Sequence, residues 1–233
     1  MDPNTRSIVE LAWARDLGLA DDALLLPYPE RVVGVRDDAI MFVTLWNHSV
    51  LLAPERVLAA AAALDPTLLS DGSTLLGLAR AAGRPGARLL GRATLAFTDR
   101  YVTGDDLRSV VAATDREALA DLDHRCPPDD VAEVGLASMG WRFVALAEDE
   151  TAVAGAGFDE KQHILAQLGV LAAPDQRGRG WGRRAAALAV NEALDRGLVP
   201  QWRARVGNAA SQALARRLGF EVVGDQTTVL LPG

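Results

Sequence analysis

Gln176-Arg177-Gly178-Arg179-Gly180-Trp181-Gly182-Arg183 carries the densest chemical signal in the sequence. Glycines at 178, 180 and 182 let the backbone come close to an anion without side-chain obstruction. Arg177, Arg179, Arg183 and Arg184 surround the same turn with positive charge. A helix beginning here would add unpaired N–H groups and the positive end of its dipole. A diphosphate is the natural occupant. The turn is not a Walker loop, because Lys-Ser/Thr is absent, and not a dinucleotide fingerprint, because Arg stands at 183 where a third glycine is needed. The same residues also fit a turn merely coated with solvated arginine, or a different nucleotide site. Trp181 is unexpected there, since the middle of an anion-binding turn is not a usual core position.

A second segment runs from Asn208 through Ala209-Ala210-Ser211 to Leu218-Gly219-Phe220. Asn208 is a strong N-cap, and Leu214 and Leu218 lie one helical turn apart on a face that must be buried. Gly219 and Phe220 suit a C-terminal cap with its apolar clasp. By itself this is a well-capped amphipathic helix.

The elements that must hold these segments are legible in the second half. A short strand covers 107–112, and Asp115 opens a helix bearing Leu119 and Leu122. Pro127-Pro128-Asp129-Asp130 begins another, its carboxylates suited to the positive helix end. Runs at 141–147 and 152–158 form a hairpin. A third strand, 163–172, begins with His163 preceded by Asp159 and Glu160. A helix over 183–196 ends at Gly197, and strands at 201–206 and 222–231 flank the Asn208 helix. The order is β-α-α-β-β-β-α-β-α-β. In the first half, a helix over 7–17 precedes β-rich runs at 31–35, 40–46 and 49–53, a helix from Pro54 to Leu64, and a strand over 88–97. The turn Thr103-Gly104-Asp105-Asp106 marks a boundary between regions 1–104 and 105–233.

With this order in hand, Arg177-x-x-Gly180-x-Gly182 resembles the acetyl-CoA pyrophosphate motif of the GCN5-related N-acetyltransferases (GNAT), and Asn208 to Phe220 resembles their final helix motif. Pro200-Gln201-Trp202 with Asn208-Ala209-Ala210-Ser211 is similar to the group of zwittermicin A resistance acetyltransferases. The likeness covers 105–233 and is strongest over 165–223. It implies an α+β class with a mixed sheet, the GNAT acyl-CoA N-acyltransferase fold, and an added N-terminal α+β region whose β-rich pattern suits a degenerate repeat. It also implies acetyl-CoA as co-substrate and a small-molecule amine as acceptor. Val170, Leu171 and Ala172 would pair with the pantetheine arm through their backbones. Arg177, Gly178, Arg179, Gly180, Trp181, Gly182 and Arg183 would hold the pyrophosphate, with Asn208 and Ser211 near the pantetheine or thiol end. The strand at 201–206 would splay from that at 163–172 and open a wedge for the cofactor.

Two departures stand out. Relatives often carry a Tyr acid seven residues after the Asn, where this chain has Ala215, and many carry a Glu base where it has Gln167. Ser211 is then the candidate acid through a water, and Glu160 and His163 the candidate bases. A CoA-binding module without chemistry is the competing class.

Charge sharpens this reading. The net charge of −7 argues against nucleic-acid binding, but its distribution is uneven. Residues 1–104 carry ten Arg against twelve acids, 105–160 four Arg against fourteen, and 161–233 nine Arg and one Lys against five. The acidic stretch holds Asp129, Asp130 and Glu133, which would attract a cationic amine; a solvated acidic face competes. The basic stretch is where a small polyanion would lie. GC-rich codon usage accounts for Arg over Lys, not for this polarity. One cysteine, Cys126, excludes an internal disulfide, and no Cys/His cluster has zinc spacing, so no metal is expected. Absence of a basic n-region and of long apolar runs points to a cytoplasmic, membrane-free protein, monomeric or homodimeric.

Overall fold

The computed structural model describes residues 1–25, 31–104, 110–112 and 116–232. Its elements are α1 (Pro3–Asp16), β1 (Val32–Val35), β2 (Ala39–Leu45), β3 (His48–Ala53), α2 (Glu55–Ala61), α3 (Pro66–Leu69), α4 (Gly72–Ala81) and β4 (Arg88–Phe97). There follow β5 (Val110–Ala112), α5 (Arg116–Arg125), α6 (Pro128–Val134), β6 (Trp141–Leu146), β7 (Ala152–Lys161), β8 (Leu165–Ala172), α7 (Trp181–Asp195), β9 (Val199–Arg205), α8 (Ala209–Arg217) and β10 (Glu221–Leu230). The fold is a mixed sheet with helices, with the extra N-terminal helix and strands the sequence implied. Asp115, expected to cap α5, and positions 107–109 of the strand expected at 107–112 lie outside the described residues. No helix among the described residues is long and apolar enough to cross a membrane.

Two compact units divide the chain, each assembled from separated segments: Met1–Thr5, Phe97–Trp202 and Ala213–Glu221 in one, Arg6–Ala96, Arg203–Gln212 and Val222–Gly233 in the other. In the first, the strand order is β9-β8-β7-β6-β5, with β8 and β9 parallel and the other pairs antiparallel. Small residues make this sheet approachable from both sides. The β7 run Ala152-Val153-Ala154-Gly155-Ala156-Gly157 is buried throughout. On one face α7 lies across β6, β7 and β8 through Ala185, Ala186, Ala189, Val190 and Ala193. On the other, Leu119, Leu122, Leu136 and Met139 close a core with Val144 and Leu171.

The second unit orders its strands β1-β3-β2-β10-β4. Although the sequence joins β1 and β2 by a polar turn, β1 pairs in parallel with β3, and β2 pairs antiparallel with β3 and β10. Its core sets Phe42, Leu51 and Val229 against Val57, Leu69 and Leu75 of α2, α3 and α4. The last two helices start at Asp65 and Asp71, whose carboxylates accept from the Thr67 and Thr74 N–H groups. Arg31 closes the end of α2 by donating to the carbonyls of Ala61 at 3.1 Å and Leu64 at 2.6 Å. Arg31→Ala is expected to cost about 2 kcal/mol by losing two charge-assisted bonds to a helix end, read as a lower thermal midpoint.

Candidate functional site

The glycine-rich turn connects β8 to α7. Pro174–Gln176 makes a single 3-10 turn, and Gly178 (φ 77°) and Gly180 (φ 88°) adopt left-handed backbone that only glycine takes without strain. Gly180 is the N-cap of α7, so the helix starts at Trp181, two residues before the sequence estimate. A Cβ on Gly178 or Gly180 would meet nothing within 4 Å, whereas one on Gly182 would touch Val170 Cγ1 at 3.4 Å. The turn is thus an open backbone cradle lying close to β8. Arg184 stacks over the Trp181 ring at 4.7 Å from its centroid, which accounts for a tryptophan at the turn.

Beside the turn, β8 has an open edge. The β8–β9 ladder consists of Leu165↔Val199, Ala166↔Pro200 and Gln167↔Gln201, and stops there, while β8 continues to Ala172. At the point of divergence Gln201 Nε2 donates to Gln167 Oε1 at 2.5 Å, and Gln167 Nε2 donates to the Leu168 carbonyl at 3.2 Å. Gln167 is therefore engaged by Gln201, the middle residue of the Pro200-Gln201-Trp202 segment. Antiparallel pairing alternates which backbone groups meet a given neighbour. Since the Ala173 N–H donates to Val153 and the Ile164 carbonyl accepts from Val199, the groups of Leu171 face β7. Those of Val170 and Ala172 face the open edge. Of the three residues expected to pair with a pantetheine arm, two are so disposed.

Arg177 is not a loose cation. Its Nη2 bonds Asp130 Oδ2 at 2.6 Å and its Nε donates to the Ala172 carbonyl at 3.2 Å. A second ion pair joins Arg125 Nη2 to Asp175 Oδ2 at 3.3 Å. Both tie the α5–α6 region to the β8–α7 connection. Cys126, buried at the end of α5, has its thiol pushed up by burial, an effect partly offset by Arg177. Such a thiol is a poor nucleophile. Asp129 and Glu133 lie exposed on α6, so the three acids differ: Asp130 faces the turn's arginine.

The proton-transfer candidates sit elsewhere. Asp159 and Glu160 belong to the end of β7 and do not begin β8. The hairpin turn follows them, because Gln162 and His163 both take φ of 55°. His163 Nδ1 lies 3.8 Å from Glu160 Oε2 at this tip, with the imidazole side chain 96% exposed. The tip is at the end of β8 opposite the glycine turn. In the other unit, Asn208 Oδ1 accepts from the Ser211 N–H at 3.0 Å, the N-cap bond the sequence implied. Ala215 is buried, 4% exposed, and its carbonyl accepts from Phe220 N–H across the Gly219 (φ 85°) cap. No group of three or more His, Cys, Asp or Glu able to hold a metal occurs among the described residues.

Residues 114–220 match the sequence profile of the Acetyltransferase (GNAT) family. Solved structures similar to this chain include a GNAT-family acetyltransferase from Colwellia psychrerythraea, with 16% identity, 78% of this chain and 75% of that chain covered, and a TM-score of 0.50. A GCN5-related N-acetyltransferase-like protein from Streptococcus suis 89/1591 has 19% identity, 84% and 85% coverage and a TM-score of 0.48. A GNAT-family protein from Novosphingobium aromaticivorans DSM 12444 has 21% identity, 64% and 69% coverage and a TM-score of 0.49. At 16% identity the likeness to the Colwellia psychrerythraea protein is one of fold. No curated protein matches the chain.

Proposed function

We propose that this chain, whose residues 114–220 match the profile of the GNAT acetyltransferase family, is an N-acetyltransferase that moves acetyl from acetyl-CoA to a primary amine of a small cationic molecule, a metabolite or an antibiotic, by direct attack in a ternary complex. The observation that carries this reading is the early end of the β8–β9 ladder at Gln167, which leaves an open strand edge running into the glycine cradle at the start of α7. A flexible amide arm suits that edge, and its diphosphate suits the cradle. Pro200-Gln201-Trp202 and Asn208-Ala209-Ala210-Ser211 favour the zwittermicin A resistance-type group, and residues 105–233 are the catalytic region of the proposal. We place the enzyme in the cytoplasm, as a monomer or homodimer.

Acetyl-CoA supplies the activated acyl group: the amine nitrogen bonds to its carbonyl carbon as the carbon–sulfur bond breaks and the thiolate takes up a proton. The chain's share is positioning and charge stabilisation. N–H groups of 178–182, with Arg183, hold the diphosphate, Val170 and Ala172 hold the arm, and a β8 N–H meets the charge developing on the carbonyl oxygen. Ser211, through a water, is the acid offered to the thiolate, which leaves readily in any case. Asp129 and Glu133 draw the cationic acceptor. Glu160 and His163 are the candidate bases, but they lie at the exposed tip opposite the glycine turn, so bulk water can take the amine proton in their place. His163→Ala is therefore expected to change kcat/KM less than about threefold at pH 7 and at pH 9; a tenfold loss at both would make His163 the essential base.

A second reading, a CoA-binding module without turnover, is favoured by the Gln167–Gln201 bond and the buried Ala215, which leave the usual acid and base positions without titratable groups. Amine-dependent thiol release from acetyl-CoA, followed over cationic and neutral amines at several salt concentrations, separates the two. Turnover with cationic amines that weakens with salt supports the enzyme. Tight CoA binding with no release on any amine supports the module, and no CoA binding removes both.

A further inference from the structure

We propose that Asp130 latches the cofactor site shut: it holds Arg177 against the open edge of β8, and coenzyme A must break this ion pair to bind, which loosens α6. The proposal rests on the reading of the turn and edge as a coenzyme A site. Three observations within one unit carry it. Arg177 makes two bonds at once, to Asp130 on α6 and to the carbonyl of Ala172, one of the two residues whose backbone faces the open edge. Its guanidinium therefore occupies a hydrogen-bonding position on the very edge that an incoming amide arm would use. Next, Arg125 repeats the arrangement one helix earlier, bonding Asp175 at 3.3 Å and the Ala152 carbonyl at 3.3 Å, so two straps join α5–α6 to the β8–α7 connection. Finally, α6 is short, Pro128–Val134, has no residue buried, and ends in a left-handed Gly135. A seven-residue helix with no fully buried side chain is held by the partly buried Val131 and Val134, which pack on the core, together with these two straps, so loss of a strap loosens it.

The physical consequence follows from charge. A diphosphate attracts Arg177 more strongly than one carboxylate does, and repels Asp130. Binding energy is thus used partly to separate an existing pair, and affinity is lower than the turn alone would provide. The pair is half-exposed, with side chains 51% and 41% accessible, so its strength is that of a surface ion pair. Removing it should be felt as a small, signed change. Because α6 is released when the cofactor arrives, the acceptor region carrying Asp129 and Glu133 would be reorganised after coenzyme A binds.

The test is calorimetric binding of coenzyme A to the full chain as wild type, Asp130→Asn and Asp129→Asn. Asp129 is on the same helix and carries the same charge, so it controls for loss of general repulsion. The latch requires Asp130→Asn to tighten binding about two- to fivefold, with Asp129→Asn changing it less than about 1.5-fold. Amide hydrogen exchange over residues 126–134 is expected to become about threefold or more faster on saturation with coenzyme A, the reverse of ordinary ligand protection. Weaker or unchanged binding by Asp130→Asn, an equal gain from Asp129→Asn, or slower exchange in that segment would overturn the latch while leaving the cofactor reading intact. Failure of the wild type to bind coenzyme A at all would remove the reading on which it rests.

Discussion

Gly180→Glu is expected to abolish the proposed coenzyme A binding, with a dissociation constant about a hundredfold or more weaker than that of the wild type. Gly180 is the N-cap of α7 at φ 88° and ψ −5°, and a Cβ there meets no protein atom within 4 Å. The new carboxylate thus enters open space beside the N–H groups that would face the diphosphate. A like charge set against a dianion at a helix start costs several kcal/mol, and each 1.4 kcal/mol is about tenfold. The left-handed backbone adds about 1–2 kcal/mol of strain to the folded state, so a modest fall in thermal midpoint accompanies the loss of binding. Gly180→Ala separates the two effects: it carries the same strain without the charge, and should lower stability similarly while retaining most of the affinity. Calorimetry and thermal melting on the three proteins decide the matter. An unchanged dissociation constant in Gly180→Glu refutes the placement of the cofactor.

The second large effect concerns folding. Gly157 on β7 faces the segment after α6 that carries Leu136 and Met139, and a Cβ there would come closer than 3.0 Å to the Trp141 carbonyl oxygen, with Leu136 Cδ1 at 3.0 Å and Met139 Sδ at 3.1 Å. The carbonyl belongs to β6, which pairs with β7 through Arg142↔Gly157, so it can yield only by distorting the ladder. Gly157→Val is expected to destabilise by about 3 kcal/mol or more, lowering the thermal midpoint by roughly 6–12 °C. Gly77→Ala in α4, where a Cβ meets nothing within 4 Å, is the matched control and should be neutral or slightly stabilising. Gly169 stands opposite Gly157 on β8, and a Cβ on it would lie 3.1 Å from Val134 Cγ1 of α6. Gly169 lets α6 settle directly on β8. That close approach brings Asp130 within reach of Arg177.

Most of the second half could be read before any coordinates. The hairpin of β6 and β7 turns between the runs expected at 141–147 and 152–158, and α7 and α8 end at Gly197 and Gly219, both at positive φ. Each of these is a local event, governed by a capping side chain, a glycine conformation or an alternation of apolar residues within a few positions. The first half was less transparent. Helices α3 and α4 carry cap signals in Asp65-Pro66-Thr67 and Asp71-Gly72-Ser73-Thr74, but each helix is short and its apolar residues do not form a long stripe that marks it in the sequence. Strand β8 begins at Leu165, two residues after the expected start at His163, because the left-handed backbone of His163 ends any strand.

What the sequence determined by itself is the chemistry of the turn. Three glycines, an arginine cluster and a helix start give the turn the backbone freedom, N–H groups and positive charge that an anion would need, since φ, N–H exposure and dipole are properties of contiguous backbone. Tertiary structure alone decided the rest. It set β10 between β2 and β4, ended the β8–β9 ladder at Gln167, joined Gln167 to Gln201, and gave Arg177 the partner Asp130. Alternation along a strand says which side chains share a face, but not which strand lies alongside or where pairing stops. The uneven charge illustrates the difference. Acidic 105–160 and basic 161–233 were visible as a polarity in the sequence. Only packing shows that an acid of the first segment already grips the leading arginine of the second.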